Sequence, residues 1–132
     1  MENVACVADY MSRDLITLTP DQEINHAMNI LLDNRLSGAP VLDGNGGLVG
    51  VLSKKDCLKA ALQASYYREW GGTVATHMST EIETLDVGLD IVSATKAFVN
   101  STFRRFPVVE NGQLVGQISR ADALRAMRDN WG

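Results

Sequence analysis

Cysteine, histidine and aromatic residues are scarce: 132 residues hold two Cys, two His and only 6% aromatics. Cys6 and Cys57 stand far apart, and no Cys-x-x-Cys or Cys/His spacing reads as a zinc ligand set. Two free thiols in a reducing compartment are the expectation. His26 and His77 have no partner cluster at recognisable spacing, and there is no P-loop, Rossmann glycine pattern or hydrolase elbow. Catalysis needs a nucleophile, a positioned acid or base, or a metal. None is recognisable here, so the chain is expected to be no enzyme and to hold no resident cofactor or metal. A basic surplus is missing too. Twelve Lys and Arg face sixteen Asp and Glu, giving a net charge of −4 and a pI near 5.0. That argues against non-specific nucleic-acid binding. No apolar run approaches the roughly 18 residues of a membrane span. The opening "MENVACVADYM" lacks the basic start and long apolar centre of a secretory signal. The expected location is cytoplasmic, with no membrane or nucleic-acid partner.

The remaining composition, 45% hydrophobic and 21% charged, is that of a globular chain able to bury a core without staples. Its length fits one compact domain or two small halves packed together. The halves match. "VADYMSRDLITL", Val7 to Leu18, resembles "VATHMSTEIETL", Val74 to Leu85, at an offset of 67 residues. At that offset Ile24 meets Ile91, Ala27 meets Ala94, and Pro40-Val41 meets Pro107-Val108. One residue then drops out, and "LVGVLSKKD" from Leu48 aligns with "LVGQISRAD" from Leu114. This is an internal duplication, and a period this long means two copies of a supersecondary unit. The copies divide the chain at 1–68 and 69–132.

Each copy reads as a Val-Ala-x-x-Met-Ser leading segment, a short strand ending in Thr-Leu, a helix, two strands and a last helix. In copy one Thr19 is the expected N-cap, with Pro20 at the first helical position and Gln22 completing a capping box. Ile24, Ala27, Met28 and Leu31 give that helix one apolar face. In copy two Asp86 is the expected cap, and Ile91, Ala94 and Phe98 form the matching face. Asn111-Gly112 signals a two-residue hairpin, and "DGNGG" is its looser counterpart. "ASYYREWGG", Ala64 to Gly72, is expected to extend copy one's last helix to a Gly pair. Its Tyr66, Tyr67 and Trp70 suit packing or an oligomer contact.

"GVLSKKD" and "GQISRAD" each end in Ser-x-x-Asp before a helix. The motif makes a good helix start, because Ser caps free N–H groups and Asp suits the positive dipole end. The same geometry can hold phosphate. Gly50 and Gly116 would permit close backbone approach, and an ionised Asp can accept hydrogen bonds from a ribose diol. Lys54, Lys55 and Arg120 oppose the helix dipole, which turns the balance toward anion binding. "RRFP", Arg104 to Pro107, stands where copy one has "SGAP", Ser37 to Pro40. Its arginines are either solvated strand-edge charges or phosphate ligands.

Taken together, the duplicated βαββα unit with Gly-x-apolar-Ser-x-x-Asp resembles the cystathionine-β-synthase (CBS) domain pair, or Bateman module, over nearly the whole chain. The resemblance implies an α+β fold of two CBS repeats packed by pseudo-twofold symmetry, and a regulatory module sensing AMP, ADP, ATP or S-adenosylmethionine, with Mg²⁺ only alongside ATP. It implies one cleft combining Ser53, Lys54, Lys55 and Asp56 with Thr84, Arg104, Arg105, Phe106 and Pro107. The other combines Ser119, Arg120 and Asp122 with Thr17, Ser37, Gly38, Ala39 and Pro40. Asp would hold ribose, Ser and the basic residues would meet phosphate, and the segment before Pro would line the adenine slot. The first cleft should prefer polyphosphates; the second should take a less charged ligand or stay empty. A homodimer is expected, acting on a separate enzyme or transporter. The alternative is a ligand-free dimerisation or scaffold module.

Overall fold

The structure, a computed structural model, describes residues 5–131. It is α+β, and the chain separates into two compact units. Ile16–Ile82 forms one of them. The other joins the described residues up to Leu15 to those from Glu83 onward.

In the first unit, α1 (Ile24–Asp33) is followed by the antiparallel pair β1 (Gly38–Leu42) and β2 (Leu48–Ser53), then by α2 (Lys54–Tyr67) and the short α3 (Val74–His77). Ile24, Ala27 and Leu31 of α1 are buried on Leu18, Val41, Leu52, Cys57, Ala60 and Val74, with Met28 packed at the edge. The helix starts four residues later than the Thr19 cap implied. Its N-cap is Glu23, without a side-chain cap. Thr19 and Gln22 instead close an isolated turn, with Thr19 N–H donating to Gln22 Oε1 at 2.9 Å. The carbonyls that a helix through residues 20–23 would need are taken by the chain beyond α2: Val74 N–H donates to Gln22 O at 2.8 Å and Ala75 N–H to Pro20 O at 2.9 Å. The leading strand of this copy shrinks to a parallel bridge between Leu18 and Val41. At its far end α2 stops at Tyr67, with Arg68 left-handed at φ 59°, short of the expected Gly pair. Tyr66 and Tyr67 are 84% and 77% exposed, so they are not packing residues of this unit.

The second unit is built alike. β3 (Leu85–Asp86) pairs parallel with β4 (Arg105–Glu110), which pairs antiparallel with β5 (Gln113–Ser119); α4 (Ile91–Val99) and α5 (Arg120–Trp131) cover the sheet. Ile91, Ala94 and Phe98 are buried on Phe106, Val108, Ile118 and Val7. Asp86 does not cap α4. It ends β3, and its Oδ2 accepts from Gly88 N–H at 2.9 Å. Val87 N–H still donates to Val109 O at 2.9 Å, so the helix waits for Asp90, whose carboxylate takes both Ser93 N–H and Ser93 Oγ–H. Asn111 and Gly112, at φ 51° and 80°, make the expected tight turn.

The leading segments lie in units that the sequence repeats do not suggest. Val7, from the start of copy one, is buried in the core of copy two's sheet and helices, and Val74 is buried in that of copy one. Ser12 exchanges both backbone hydrogen bonds with Gln117 (2.8 and 2.9 Å), and Ser79 does so with Val51 (2.9 and 3.0 Å). Repeats of the sequence and compact units of the structure are therefore different divisions of the chain.

Candidate functional site

Both Ser-x-x-Asp motifs are capping boxes. Ser53 Oγ accepts from Asp56 N–H at 3.1 Å, and Asp56 Oδ2 accepts from Ser53 N–H at 2.9 Å. Ser119 and Asp122 repeat this at 3.2 and 2.8 Å. Each box consumes one oxygen of its Asp and one lone pair of its Ser; of the first three N–H groups of each helix, those of Lys55 and Ala121 have no partner among the described residues. Lys54 and Lys55 are exposed in the first turn of α2, as is Arg120 in that of α5.

Within each unit the helix start lies against the strand mouth of the same copy. In the first unit Gly38 pairs with Ser53, and Lys54 N–H donates to Ser37 O at 2.8 Å. In the second, Arg105 pairs with Ser119, and Arg120 N–H donates to Arg104 O at 3.1 Å. Arg120 Nε is engaged by Phe103 O at 3.0 Å. Thr17 and Thr84 are exposed, each one residue before the buried leucine of its leading strand. The structure thus brings together Ser37, Gly38, Ser53, Lys54 and Asp56 in one unit, and Arg104, Arg105, Ser119, Arg120 and Asp122 in the other.

The side chains expected at an adenine slot turn inward. Phe106 is 1% exposed, with its ring 4.7 Å from Phe98 and 5.4 Å from Phe103. Ala39 and Pro40 are buried, and Pro107 is half-buried. The glycines that precede the motifs are filled as well. A Cβ at Gly50 would lie 2.4 Å from Met78 Sδ, and one at Gly116 would lie 2.6 Å from Ser12 O. Gly50 and Gly116 make room for the Met-Ser of a leading segment, so their expected role toward a ligand is corrected. The recurrence of Met-Ser in both copies was the signal for this contact.

Charge is distributed unequally. Arg105 Nε is buried without a hydrogen-bond partner among the described residues, a state that an anion would relieve. The copy-one counterpart of Arg105 is Gly38, where a Cβ would meet Leu52 O at 2.9 Å. Beside Asp56, burial and then the Asp56 carboxylate push the Cys57 thiol up, so it is no ready thiolate. His77 contacts Gly71 O at 3.0 Å, and His26 is exposed. Among the described residues no group of His, Cys, Asp and Glu is placed to hold a metal ion, and no helix is long and apolar enough to cross a membrane.

Two α+β units of one design, each setting a capped helix start against a strand mouth, define a tandem-repeat module. The sequence matches the CBS domain over residues 7–63 and again over 73–129, and the chain belongs to that family. Among solved structures, CBSX2 of Arabidopsis thaliana in complex with AMP is similar at 28% identity and a TM-score of 0.82, over 95% of this chain and 97% of that one. The chloroplastic CBSX1 of the same plant is 26% identical over 151 residues, 93% of this chain and 64% of that protein. Protein MJ1225 of Methanocaldococcus jannaschii is 25% identical over 125 residues, 95% of this chain and 44% of that protein. The chain thus spans less than two thirds of the length of these two relatives.

Proposed function

We propose that the protein is a regulatory module that binds an adenosine-containing small molecule, of the class of AMP, ADP, ATP or S-adenosylmethionine, at its Ser-x-x-Asp helix starts. The observation that carries this reading is the doubled geometry: a Ser-Asp capping box with one first-turn N–H left over and an adjoining strand mouth, with cations on the same turn. Phosphate suits the helix N-terminus with Lys54 and Lys55, or with Arg104, Arg105 and Arg120. The uncapped oxygen of Asp56 suits a ribose diol. Thr17 and Thr84, both exposed, suit a base edge. The AMP held by the similar CBSX2 supports the ligand class. Completion of Asp56 by the Arg104–Pro107 segment, and of Asp122 by Ser37–Pro40, is the grouping that the family resemblance implies. Binding would act on a separate enzyme or transporter through different affinity for two states of the module. The free thiols Cys6 and Cys57 fit a cytoplasmic setting.

A second reading has its own observation. An apolar groove of about 230 Å³ runs between α1 and α2, lined by Met28, Leu31, Leu32, Cys57, Leu58 and Ala61. Leu58 and Leu62 are both 68% exposed beside it. Such a face suits a homodimer, and a module whose whole task is dimerisation or scaffolding.

Thermal unfolding against the four ligands at millimolar concentration separates the readings. A ligand at 100 times its Kd adds about 2.7 kcal/mol, which is a rise of several degrees in a domain of this size. The expected result is a rise with at least one ligand that Asp56→Ala removes. No rise with any of the four, in protein freed of carried-over ligand, would transfer the assignment to the scaffold.

A further inference from the structure

The two motif aspartates share a cap and differ in their second bond. Both give Oδ2 to the N–H of their serine. Asp122 Oδ1 is ion-paired with Arg125 Nη2, one turn along α5. Asp56 Oδ1 has no hydrogen-bond or ion-pair partner among the described residues, although Lys59 occupies the matching place on α2. The other carboxylate near Arg125 is already engaged: Asp129, four residues on, takes the Tyr10 hydroxyl at 3.0 Å and Arg128 at 3.1 Å. Arg125 is therefore left to Asp122. The Asp122 side chain is only 14% exposed, while that of Arg125 is 49% exposed.

We propose that Arg125 is a specificity-determining residue that keeps the Asp122 carboxylate closed to a ribose diol, so that the Asp56 site fills first. The inference rests on the adenosine-ligand reading above. A carboxylate only accepts hydrogen bonds, and one oxygen of each aspartate is committed to the cap. At Asp56 the remaining oxygen is open. At Asp122 a sugar hydroxyl must first displace the guanidinium, exchanging a contact in which both partners are charged for one in which only the carboxylate is. Because Arg125 is half in water, the lock is weak. Exposed pairs of this kind contribute up to about 1 kcal/mol, which is about fivefold in affinity at 1.4 kcal/mol per tenfold.

Isothermal titration of the full chain with AMP tests this. Wild type should show its tighter site lost in Asp56→Ala and kept in Asp122→Ala. In the Asp56→Ala background, adding Arg125→Ala should tighten the remaining binding about fivefold, and Arg125→Gln should do the same with the helix face better preserved. Equal, weaker or absent binding in both double variants, while wild type binds, overturns the inference; so does loss of the tighter site in Asp122→Ala. No AMP binding by wild type or any variant is a different result. It removes AMP as a ligand and this inference with it.

Discussion

Gly50 and Gly116 show how a residue can be assigned the wrong neighbour from sequence. Each stands three positions before a motif serine, where a ligand-facing glycine and a packing glycine look alike. The structure fills both spaces with protein, and the two fillings differ. At Gly50 an added methyl meets the flexible Met78 side chain first; at Gly116 it meets the backbone oxygen of Ser12 as well as Met11. Overpacking of this kind costs about 1–3 kcal/mol. Gly50→Ala should lower the denaturant midpoint, and Met78→Ala in the same chain should return part of the loss. Gly116→Ala should stay destabilised when Met11→Ala is added, because the Ser12 carbonyl cannot be truncated. Equal rescue at the two sites in chemical unfolding would contradict the packing described.

At the scale of elements, local patterning located the helices and misplaced two of their starts. The apolar faces of α1 and α4 and the capping boxes of α2 and α5 are short-range codes, and all four were legible. Thr19 and Asp86 carry good cap chemistry yet sit too early, because backbone groups of the residues that follow are paired with distant segments rather than along a helix. A cap cannot start a helix whose first carbonyls are already spent, as those of Pro20 and Gln22 are on Ala75 and Val74, and those of Val87 and Leu89 on Ala8 and Val7. Tertiary pairing also joins the leading segment to α5 through the Tyr10 hydroxyl and Asp129. Burial, then the hydrogen bond to Asp129, raises the Tyr10 pKa; the Tyr10 hydrogen bond, then that of Arg128, lowers the Asp129 pKa. The depressed Asp129 contributes stability above its unfolded pKa of about 3.9, and loses it as pH falls through the lower folded value. The raised Tyr10 contributes below about pH 10 and loses it as pH rises through the higher folded value. Tyr10→Phe should therefore lower the melting temperature across neutral pH, with the gap to wild type closing at both extremes. A gap independent of pH would mean that the hydroxyl does not hold the carboxylate.

For the whole molecule, the exchange of leading segments makes a distinction that can be measured. Val7 belongs to copy one by sequence and to copy two's core by contact. Val7→Ala removes roughly 2 kcal/mol of burial and cavity energy. Faster amide hydrogen exchange is expected along β4, β5 and α4, with Ile24–Ala60 unaffected, since stability is local to cooperative units. Loss of protection confined to copy one would contradict the division of the chain described above.

By itself the sequence determined the duplication, which is plain in the recurrence of whole segments, and the α+β repeat, the hairpin at Asn111-Gly112, the helix faces and the two Ser-x-x-Asp helix starts, because each of these is written in residues within a few positions of one another. Which leading segment completes which core was decided by tertiary structure alone. Val-Ala-x-x-Met-Ser occurs in both copies, so no local pattern tells the two partners apart. The inward turn of Phe106 and the pairing of Arg125 with Asp122 but not of Lys59 with Asp56 were decided there too. Alternation along a strand and spacing along a helix allow either outcome, and only the surrounding side chains choose between them.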